Sequence, residues 1–510
     1  MIKKQQLPEK SFMILTTMRF FVCVILISMF AGVSRAAQPI KLDLKETIRI
    51  ASDSSLSAFR YRNLYQAGYW EYRTFRANRL PSLSLNLTPA RYYRDITSRY
   101  DFENNVDVYR SQQSYYASMG LNLQQNFDLL GGTFFVESDL DFMRNMGAST
   151  FSQFSSVPAR IGYQQQLLGY NSFKWEKKIE PVKYEKVKKE YIYNMEAVSE
   201  NAVTLFFNLA LAQTEHRLAV ETLASSDTLY TLGERRFKIA AISQAELLTL
   251  KLDLVNARNT LENSRIALKR ANASLASFLG MEQDSEIEVS LPSLPVSKMI
   301  PLAEALVYAK ENSPVMLGHK QTILEAQSNV NKTKIESLFN ASFNASIGFN
   351  QVGDNFGAAY RNLMRQDLVS ISLSIPLVDW GVRKGKYNMA VSNLDVAKIA
   401  SRQDEQSLEE DVMMTVDDFN IQIDLINSAQ EAMDLAEMAY DQTRQRFMIG
   451  KTDLSSMTLA SSRRQEASKN YIEALKNYWL SYYKLRKLTL YDFEMNIALS
   501  RKFDLDNGVR

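Results

Sequence analysis

The sequence is poor in cysteine, histidine, proline and glycine. Its 510 residues include one cysteine, two histidines, 11 prolines and 18 glycines. The single cysteine, Cys23, lies in an N-terminal apolar run that we expect to be removed, so disulfides and cysteine metal sites are excluded from the mature chain. Proline disrupts a helix interior. Its absence from residues 182–291, and from all positions after Pro376, leaves two long stretches in which helices can form.

The charge and the motifs argue against nucleic-acid binding and against catalysis. The formal net charge is only +3, and the lysines between 174 and 189 are interleaved with glutamates, as is typical of a solvated helix face. The sequence has no Ser–His–Asp set, phosphate loop or HExxH motif. His216 falls on a packing position, which indicates a helix-interface histidine and not a ligand. We expect no enzyme activity, no cofactor and no metal site.

The N-terminus has the features of a secretory signal peptide. Met18-Arg19 precedes the apolar run 20–30, and Ser34-Arg35-Ala36 supplies small residues for cleavage. The alternative is an N-terminal membrane anchor, but the run is shorter than the roughly 20 residues that a spanning helix needs. Beyond it the sequence has no stretch of 18 apolar residues, so any membrane crossing would have to use β-strands.

The chain contains an internal duplication. Residues 44–87 align without gaps with 302–345 at an offset of 258, and residues 165–280 align with 375–490 at an offset of 210. The first copy therefore carries 48 extra residues between its two matched blocks. The predicted organisation is a signal peptide at 1–36, a first repeat at 37–290, a linker at 291–301, a second repeat at 302–490 and a tail at 491–510.

Each repeat is predicted to contain a long helical hairpin. Helix-friendly sequence runs for about 65 residues, or roughly 100 Å at 1.5 Å per residue, and is broken at 238–243 and again at 448–453. The returning helices carry a seam with alternating steps of three and four, which predicts antiparallel coiled-coil packing. A spectrin-like soluble bundle would explain these helices equally well. The seam positions are Leu247, Leu250, Leu254, Ala257, Leu261, Ser264, Leu268, Ala271, Leu275 and Phe278 in the first repeat, and Met457, Ala460, Arg464, Ala467, Tyr471, Ala474, Tyr478, Ser481, Leu485 and Leu488 in the second.

Strands with one apolar and one polar face are predicted at matched places in both repeats. Apolar and small polar residues alternate in 340–350, 369–377, 83–87 and 119–123. This alternation is what a barrel with lipid outside and water inside requires, although the edge of a soluble sandwich looks similar in any one strand. Tyr170 and Trp380 occupy equivalent strand-to-helix junctions, where they could be interfacial belt residues or core aromatics.

The 48 extra residues contain a candidate β-hairpin. Alternating segments near 115–127 and 133–143 are joined at Gly131-Gly132, so the insertion spans about 115–143. The hairpin could add two strands to the barrel wall or fold over its outer mouth, and both alternatives stay open at the level of sequence.

The order of elements and three local motifs resemble the TolC-type outer-membrane efflux proteins (outer membrane factors). Residues 446–450, RFMIG, and their counterpart 236–240, RFKIA, are similar to the family's periplasmic tip turn, and 375–381, IPLVDWG, to its exit from strand to helix. The resemblance implies an α+β membrane protein in which a trimeric transmembrane β-barrel is continued by a long α-helical coiled-coil tunnel through the periplasm. Four strands per protomer are usual, giving 12; a wall that includes the hairpin would have 18.

The resemblance also implies a function. A homotrimer in outer-membrane lipid would conduct substrates passively to the exterior, docked on a periplasmic adaptor and supplied by an inner-membrane transporter. The alternatives are the exit duct of a type I protein secretion system and a non-transport, periplasm-spanning structural protein. The family's acidic ring would fall on Ser456 and Leu459, which puts a carboxylate gate in doubt. The expected docking tip is Arg236, Phe237, Ile239, Ala240, Arg446, Phe447, Ile449 and Gly450, and the candidate constriction is Glu246, Asp453 and Ser456.

Overall fold

The computed structural model describes residues 40–146, 150–167, 169–282, 285–293 and 299–506. The predicted signal peptide with Cys23, and the middle of the predicted linker, lie outside these residues. The described chain is an α+β protein that divides into two compact units. Of the described residues, unit 1 contains those in 40–56, 201–293 and 424–477, and unit 2 contains those in 57–200, 299–423 and 478–506.

The described part of the chain contains nine α-helices, ten strands and one short 3-10 helix, Ala358–Tyr360. The helices are α1 (Leu44–Ser54), α2 (Leu56–Ala77), α3 (Ser172–Lys238), α4 (Gln244–Leu279), α5 (Leu302–Asn312), α6 (Pro314–Glu336), α7 (Val382–Met448), α8 (Leu454–Thr489) and α9 (Leu499–Asp506). The strands are β1 (Ile40–Leu42), β2 (Ser82–Asp101), β3 (Val106–Phe127), β4 (Gly132–Met146), β5 (Thr150–Leu167), β6 (Ile287–Val289), β7 (Asn340–Gly353), β8 (Met364–Ser374), β9 (Tyr491–Asp492) and β10 (Ile497–Ala498). No helix among the described residues is both long and apolar enough to cross a membrane.

The helices repeat with the offsets found in the sequence. α1 and α5 have 11 residues each and begin 258 positions apart, while α3 and α7 have 67 residues each and begin 210 positions apart. α4 and α8, the returning helices, have 36 residues each. All twenty predicted seam positions are buried or half-buried, which agrees with coiled-coil packing along that face.

Six long strands form one antiparallel sheet in unit 2, in the order β2-β3-β4-β5-β7-β8. By the sequence offsets β2 corresponds to β7 and β5 to β8, so β3 and β4 are the inserted pair. They lie in the interior of the sheet, where β3 pairs with β2 and β4 pairs with β5. Of the two alternatives for the hairpin, the structure therefore has the one in which both strands join the sheet.

Strand β5 was not predicted from the sequence. Its ladder register shifts between Ser156 and Ala159 opposite β7, and opposite β4 it shifts between Glu137 and Asp139. Such a β-bulge inserts a residue and breaks the alternation, and Pro158 lies within it, where the missing backbone N–H is tolerated. The period-2 pattern is thus interrupted in the middle of the strand.

Each unit has its own core. In unit 1, Phe206, Phe207, Leu275 and Leu279 are almost completely buried, and β1 pairs in parallel with β6. In unit 2 the core includes Val412, Val416, Phe419, Leu485 and Leu490. The predicted C-terminal tail is structured there: β9 and β10 pair, and Leu499 of α9 packs with Ile192 and Leu490.

Candidate functional site

The helical hairpins of unit 1 end in two turns with the same backbone geometry. In the first, the N–H of Ala240 donates to Phe237 O at 2.9 Å and the N–H of Ala241 to Arg236 O at 2.8 Å. In the second, Gly450 donates to Phe447 O at 3.0 Å and Lys451 to Arg446 O at 2.9 Å. Both pairs of bonds define a Schellman C-cap, whose central residue takes the left-handed conformation. Accordingly φ is +50° at Ala240 and +75° at Gly450.

Arg236 joins the two turns. Its Nη2 donates to the carbonyl oxygens of Phe447 and Met448, both at 3.2 Å. Its guanidinium carbon lies 5.6 Å from the centre of the Phe447 ring, within the range of a cation–π interaction. These carbonyls belong to the last turn of α7, where the helix itself has no donors left. Phe447 O also accepts from the Gly450 N–H of its own turn, so the first repeat adds a donor to the cap of the second.

The eight expected docking residues divide into an inner and an outer group. Phe447 is only 6% exposed and packs with Leu229, Leu250, Tyr440 and Met457, so its ring belongs to the hydrophobic core beneath the tip. Arg236 is half-buried. The other six are exposed to solvent: Phe237, Ile239, Ala240, Arg446, Ile449 and Gly450. Sequence reasoning did not separate the two groups, because matched positions in the two repeats have different surroundings.

The three candidate constriction residues lie at the starts of the returning helices. Ser243 and Glu246 form a reciprocal capping box at α4, in which the N–H of Ser243 donates to Glu246 Oε2 at 2.7 Å. At α8, Asp453 Oδ1 accepts from the N–H of Ser456 at 2.7 Å. Ser243 corresponds to Asp453 and Glu246 to Ser456. The carboxylate is therefore at the second of these two positions in the first repeat and at the first of them in the second repeat.

These capping bonds lower the pKa of both carboxyl groups below their usual values. For Glu246 the main cause is the backbone N–H of Ser243, followed by the Ser243 hydroxyl. For Asp453 it is the Ser456 hydroxyl, followed by the Ser456 N–H. Hydrogen bonds to the ionised form favour that form, so both groups carry negative charge at neutral pH. A cleft of about 370 Å³ between the turns is lined by both carboxylates, Arg236 and Lys451.

Arg464, a seam residue of α8, is a buried cation that sequence reasoning did not single out. Its side chain is 10% exposed and forms ion pairs with Glu221 of α3 and with Glu437 of α7, the latter at 3.0 Å. The guanidinium carbon lies 4.4 Å from the Tyr440 ring centre. The available signal was that Arg464 is the only charged residue among the twenty seam positions.

The sheet of unit 2 has two chemically different faces. Along one row, Leu83, Leu123, Val136, Ile161 and Ile347 are cross-strand neighbours from β2 to β7, and all five are exposed. The next row points to the opposite face and reads, from β2 to β8, Ser84, Asn122, Glu137, Arg160, Gly348 and Gln366. An exposed apolar face of this extent marks an interaction with lipid or with another protein.

The inserted strand β4 contributes three carboxylates to the polar face. Glu137, Asp139 and Asp141 alternate along it; Glu137 forms an ion pair with Arg160 of β5, and Asp141 accepts from the Tyr116 hydroxyl at 2.6 Å. The sequence signal was the alternating acidic pattern of 137–141.

The two aromatic junction residues differ. Trp380 is 95% exposed, with φ of +53°, and is therefore not a core residue in this chain. Tyr170 is half-buried, and its hydroxyl is 2.5 Å from Ser328 Oγ. His216 has the predicted environment of a helix-interface histidine, since its Nδ1 lies 3.0 Å from Ser264 Oγ of α4.

The chain was compared with known proteins. Residues 306–489 match the family described as "Outer membrane efflux protein", and no curated protein matches the chain. Among solved structures it is similar to the Campylobacter jejuni CmeC outer membrane channel (TM-score 0.64, 14% identity, 90% of this chain and 89% of that one). It is also similar to VceC of Vibrio cholerae (0.62, 13%, 88% and 95%) and to a membrane protein from Pseudomonas aeruginosa (0.62, 15%, 90% and 93%).

These comparisons bear on three expectations from the sequence. The match across the second repeat confirms the resemblance to the TolC-type outer-membrane efflux proteins and the outer-membrane location. The structural similarity over about nine-tenths of the chain confirms the fold class.

Proposed function

Because residues 306–489 match the outer membrane efflux protein family, we propose that three copies of this chain form a passive exit duct through the outer membrane. The duct accepts substrates from the periplasm or from an inner-membrane transporter and releases them outside. The transporter supplies the energy, and the chain itself catalyses no reaction.

The open edges of the sheet are the observation that carries this proposal. Within the described residues, β2 and β8 are each paired on one side only. Unpaired backbone groups cannot be left in lipid, because the hydrocarbon region offers no hydrogen-bond partners. Pairing β2 of one copy with β8 of the next satisfies these groups, and a closed ring has no edges. Three copies is the number that the family resemblance implies.

The two faces of the sheet fit the same arrangement. With the row containing Leu83 and Ile161 against lipid, the row containing Glu137 and Arg160 lines a water-filled lumen. The reverse orientation would place an ion pair in the hydrocarbon and an apolar surface around the water. From β2 to β7 these two rows then each face a suitable solvent; on β8 the apolar row ends at Asp367, whose charge is paired with Arg365.

The tip turns are the proposed docking surface for a periplasmic adaptor. Ile239 and Ile449, at equivalent positions, are 76% and 66% exposed, and Arg446 beside them is exposed. Apolar anchors next to an arginine are the composition that protein interfaces favour. Arg236 keeps the two turns in place behind this surface.

Conductance tests the duct. The detergent-purified protein should insert into planar bilayers and give stable channel currents. A periplasm-spanning structural protein would give none. Export by cells that lack the protein then separates the transport roles: small toxic solutes would accumulate if the duct serves efflux, whereas a secreted protein would be retained if it serves type I secretion.

Substitution at the tips tests docking. Replacing both Ile239 and Ile449 with glutamate should abolish crosslinking to the adaptor and reduce export, while conductance in bilayers stays unchanged. The matched control is Leu338→Glu, which alters a similarly exposed leucine (61%) that belongs to unit 2 and to neither tip turn. Undiminished crosslinking in the double variant would rule out the tips as the docking surface.

A further inference from the structure

We propose that the inserted hairpin β3–β4 makes the membrane wall an eighteen-stranded barrel, so that the duct passes hydrated solutes too bulky for the twelve-stranded barrel usual in the resembled family. This inference rests on the proposed function, from which it takes the closure by three copies. It adds the size of the lumen and, with it, the class of substrate.

The pairing of the strands makes the hairpin part of the wall. In the second repeat β7 pairs directly with β8. Their counterparts β2 and β5 are separated by the hairpin, since Leu83 pairs with Leu123, Leu123 with Val136 and Val136 with Ile161. Removing the hairpin from the wall would break the whole ladder on both of its sides. Each protomer therefore contributes six strands.

The turn of the hairpin is fixed at the end of the sheet where the strands meet the helices. Asp128, in the turn, forms an ion pair with Arg79, which directly precedes β2. Asn171, just before α3, donates from Nδ2 to Asp128 O at 2.8 Å, and Gln165 Nε2 donates to Leu130 O at 2.8 Å. A hairpin folded over the outer mouth would have its turn beyond the opposite end of the sheet.

Both faces of the sheet continue through the inserted strands. On the apolar face Leu123 and Val136 continue the row of exposed side chains between Leu83 and Ile161, and on the polar face Asn122 and Glu137 lie between Ser84 and Arg160. A plug or lid inside the lumen would need polar residues on both faces. The alternation is that of a strand with lipid on one side and water on the other.

Strand number sets the width of the barrel. With strands about 4.8 Å apart and tilted by about 40°, twelve strands give a backbone diameter of about 24 Å and eighteen give about 36 Å. Side chains occupy about 5 Å on each wall, half of the roughly 10 Å between packed sheets. The free bore is then about 14 Å for twelve strands and about 26 Å for eighteen.

A cysteine in the lumen tests this width. The one cysteine of the sequence, Cys23, lies in the predicted signal peptide, so Ser372→Cys, on the polar face of β8 near the helices, provides the single thiol expected in the mature chain. Intact cells are treated from outside with maleimide-linked polyethylene glycols of graded size, with hydrodynamic diameters from about 10 to about 30 Å chosen to bracket the two bores. Val369→Cys, on the apolar face, is the matched control and should stay unlabelled.

A loop exchange supplies the second arm. Residues 96–153 are replaced with a copy of 354–363, the loop that joins the equivalent strands β7 and β8, which removes the 48 extra residues and leaves four strands. We expect reagents up to about 26 Å to label the six-strand protein and only those up to about 14 Å to label the four-strand variant.

Each outcome decides between the possibilities. A cut-off near 14 Å in the six-strand protein, or the same cut-off in both proteins, would contradict the eighteen-stranded barrel. The proposed duct function would be unaffected by that result. If even the smallest reagent failed to reach Ser372→Cys, there would be no lumen open to the exterior, and the proposed function itself would fail. If the four-strand variant does not assemble, the cut-off measured with the six-strand protein still decides the width of the barrel.

Discussion

At the scale of single residues, the two tip turns differ in the residue that takes the left-handed conformation. Gly450 adopts it without strain, whereas Ala240 has φ of +50° in the equivalent place. A residue with a Cβ pays roughly 1–2 kcal/mol for this conformation. The duplicated turn thus carries a small strain in the first copy and none in the second.

The two turns predict opposite effects of opposite substitutions. Ala240→Gly should stabilise the protein by about 0.5–1 kcal/mol, because relief of the strain exceeds the added entropy of the unfolded chain. Gly450→Ala should destabilise the protein by about 1 kcal/mol, because alanine is strained in the left-handed conformation. No steric clash adds to this strain, since the nearest atom to the new Cβ would be Arg236 Nη2 at an ordinary 3.5 Å. Denaturant unfolding in detergent measures both. Effects of the same sign would contradict the assignment of strain.

Two buried arginines, Arg464 and Arg486, differ in how exposed their carboxylate partners are. Arg464 is paired with Glu221 and Glu437, whose side chains are 43% and 50% exposed. Arg486 is paired with Glu196 and Asp492, which are 10% and 3% exposed. Removing a cation is costly when the anions left behind cannot be hydrated. The same chemical change should therefore have unequal consequences at the two positions.

We expect Arg464→Leu to cost less than about 1 kcal/mol, since both glutamates can turn to water and the first repeat has a leucine, Leu254, at the equivalent position. Arg486→Leu should cost about 3–5 kcal/mol, because Asp492 and Glu196 become unpaired buried charges. Unfolding of the two variants under identical conditions checks this. Equal losses would show that exposure of the partners does not control the cost.

At the scale of secondary-structure elements, the returning helices begin with ionised caps. Folding lowers the pKa of Asp453 below the usual 3.8, and a depressed carboxyl pKa contributes stability above the unfolded pKa. This contribution is lost as pH falls through the folded value. Both caps therefore stabilise the tips at neutral pH and weaken in acid, with Glu246 following the same sign.

The Asp453→Asn variant isolates this pH dependence. Asparagine caps a helix about as well as aspartate but does not titrate. Between pH 5 and about pH 3 the natural protein should lose more stability than the variant, while at pH 7 it should be at least as stable. Melting curves of both proteins across this range test the idea, with Glu246→Gln as the matched change in the first repeat. Parallel pH profiles would exclude a titrating cap.

The helices were easier to predict from sequence than the strands. A break in helix-friendly sequence at 238–243 and again at 448–453 predicted the tip turns closely, because helix periodicity and the absence of proline extend over dozens of residues. Strand β2 was predicted only at 83–87, yet it extends to Asp101. The prediction stopped short because a bulge near Pro89 shifts the register of the strand and interrupts the alternation. In β5 the bulge at Pro158 hid the pattern entirely.

The candidate site was predictable in position but not in internal detail. Duplicated motifs located both tips, and alternation located both faces of the sheet. The bonds from Arg236 to the second turn and the ion pair between Arg464 and Glu221 join residues more than 200 positions apart, and the burial of Phe447 depends in part on Leu229 and Leu250 of the other repeat. Matched motifs predict matched backbones, whereas packing between the copies makes equivalent side chains unequal.

At the scale of the whole molecule, the account depends on self-association. In the part of the chain that the structure describes, the sheet has two unpaired edges and an exposed apolar face, and such a surface is unstable in water. In the proposed assembly, lipid covers the face and further copies cover the edges. The same closure produces the lumen, so the stability of the assembly and its role as a duct have one cause.

The most direct test is an end-on projection of the purified protein by electron microscopy. The account predicts that the chain is extracted from the outer membrane only with detergent, and that the particles are rings with three-fold symmetry and a central, stain-filled hole. A freely soluble monomer without a lumen would contradict it.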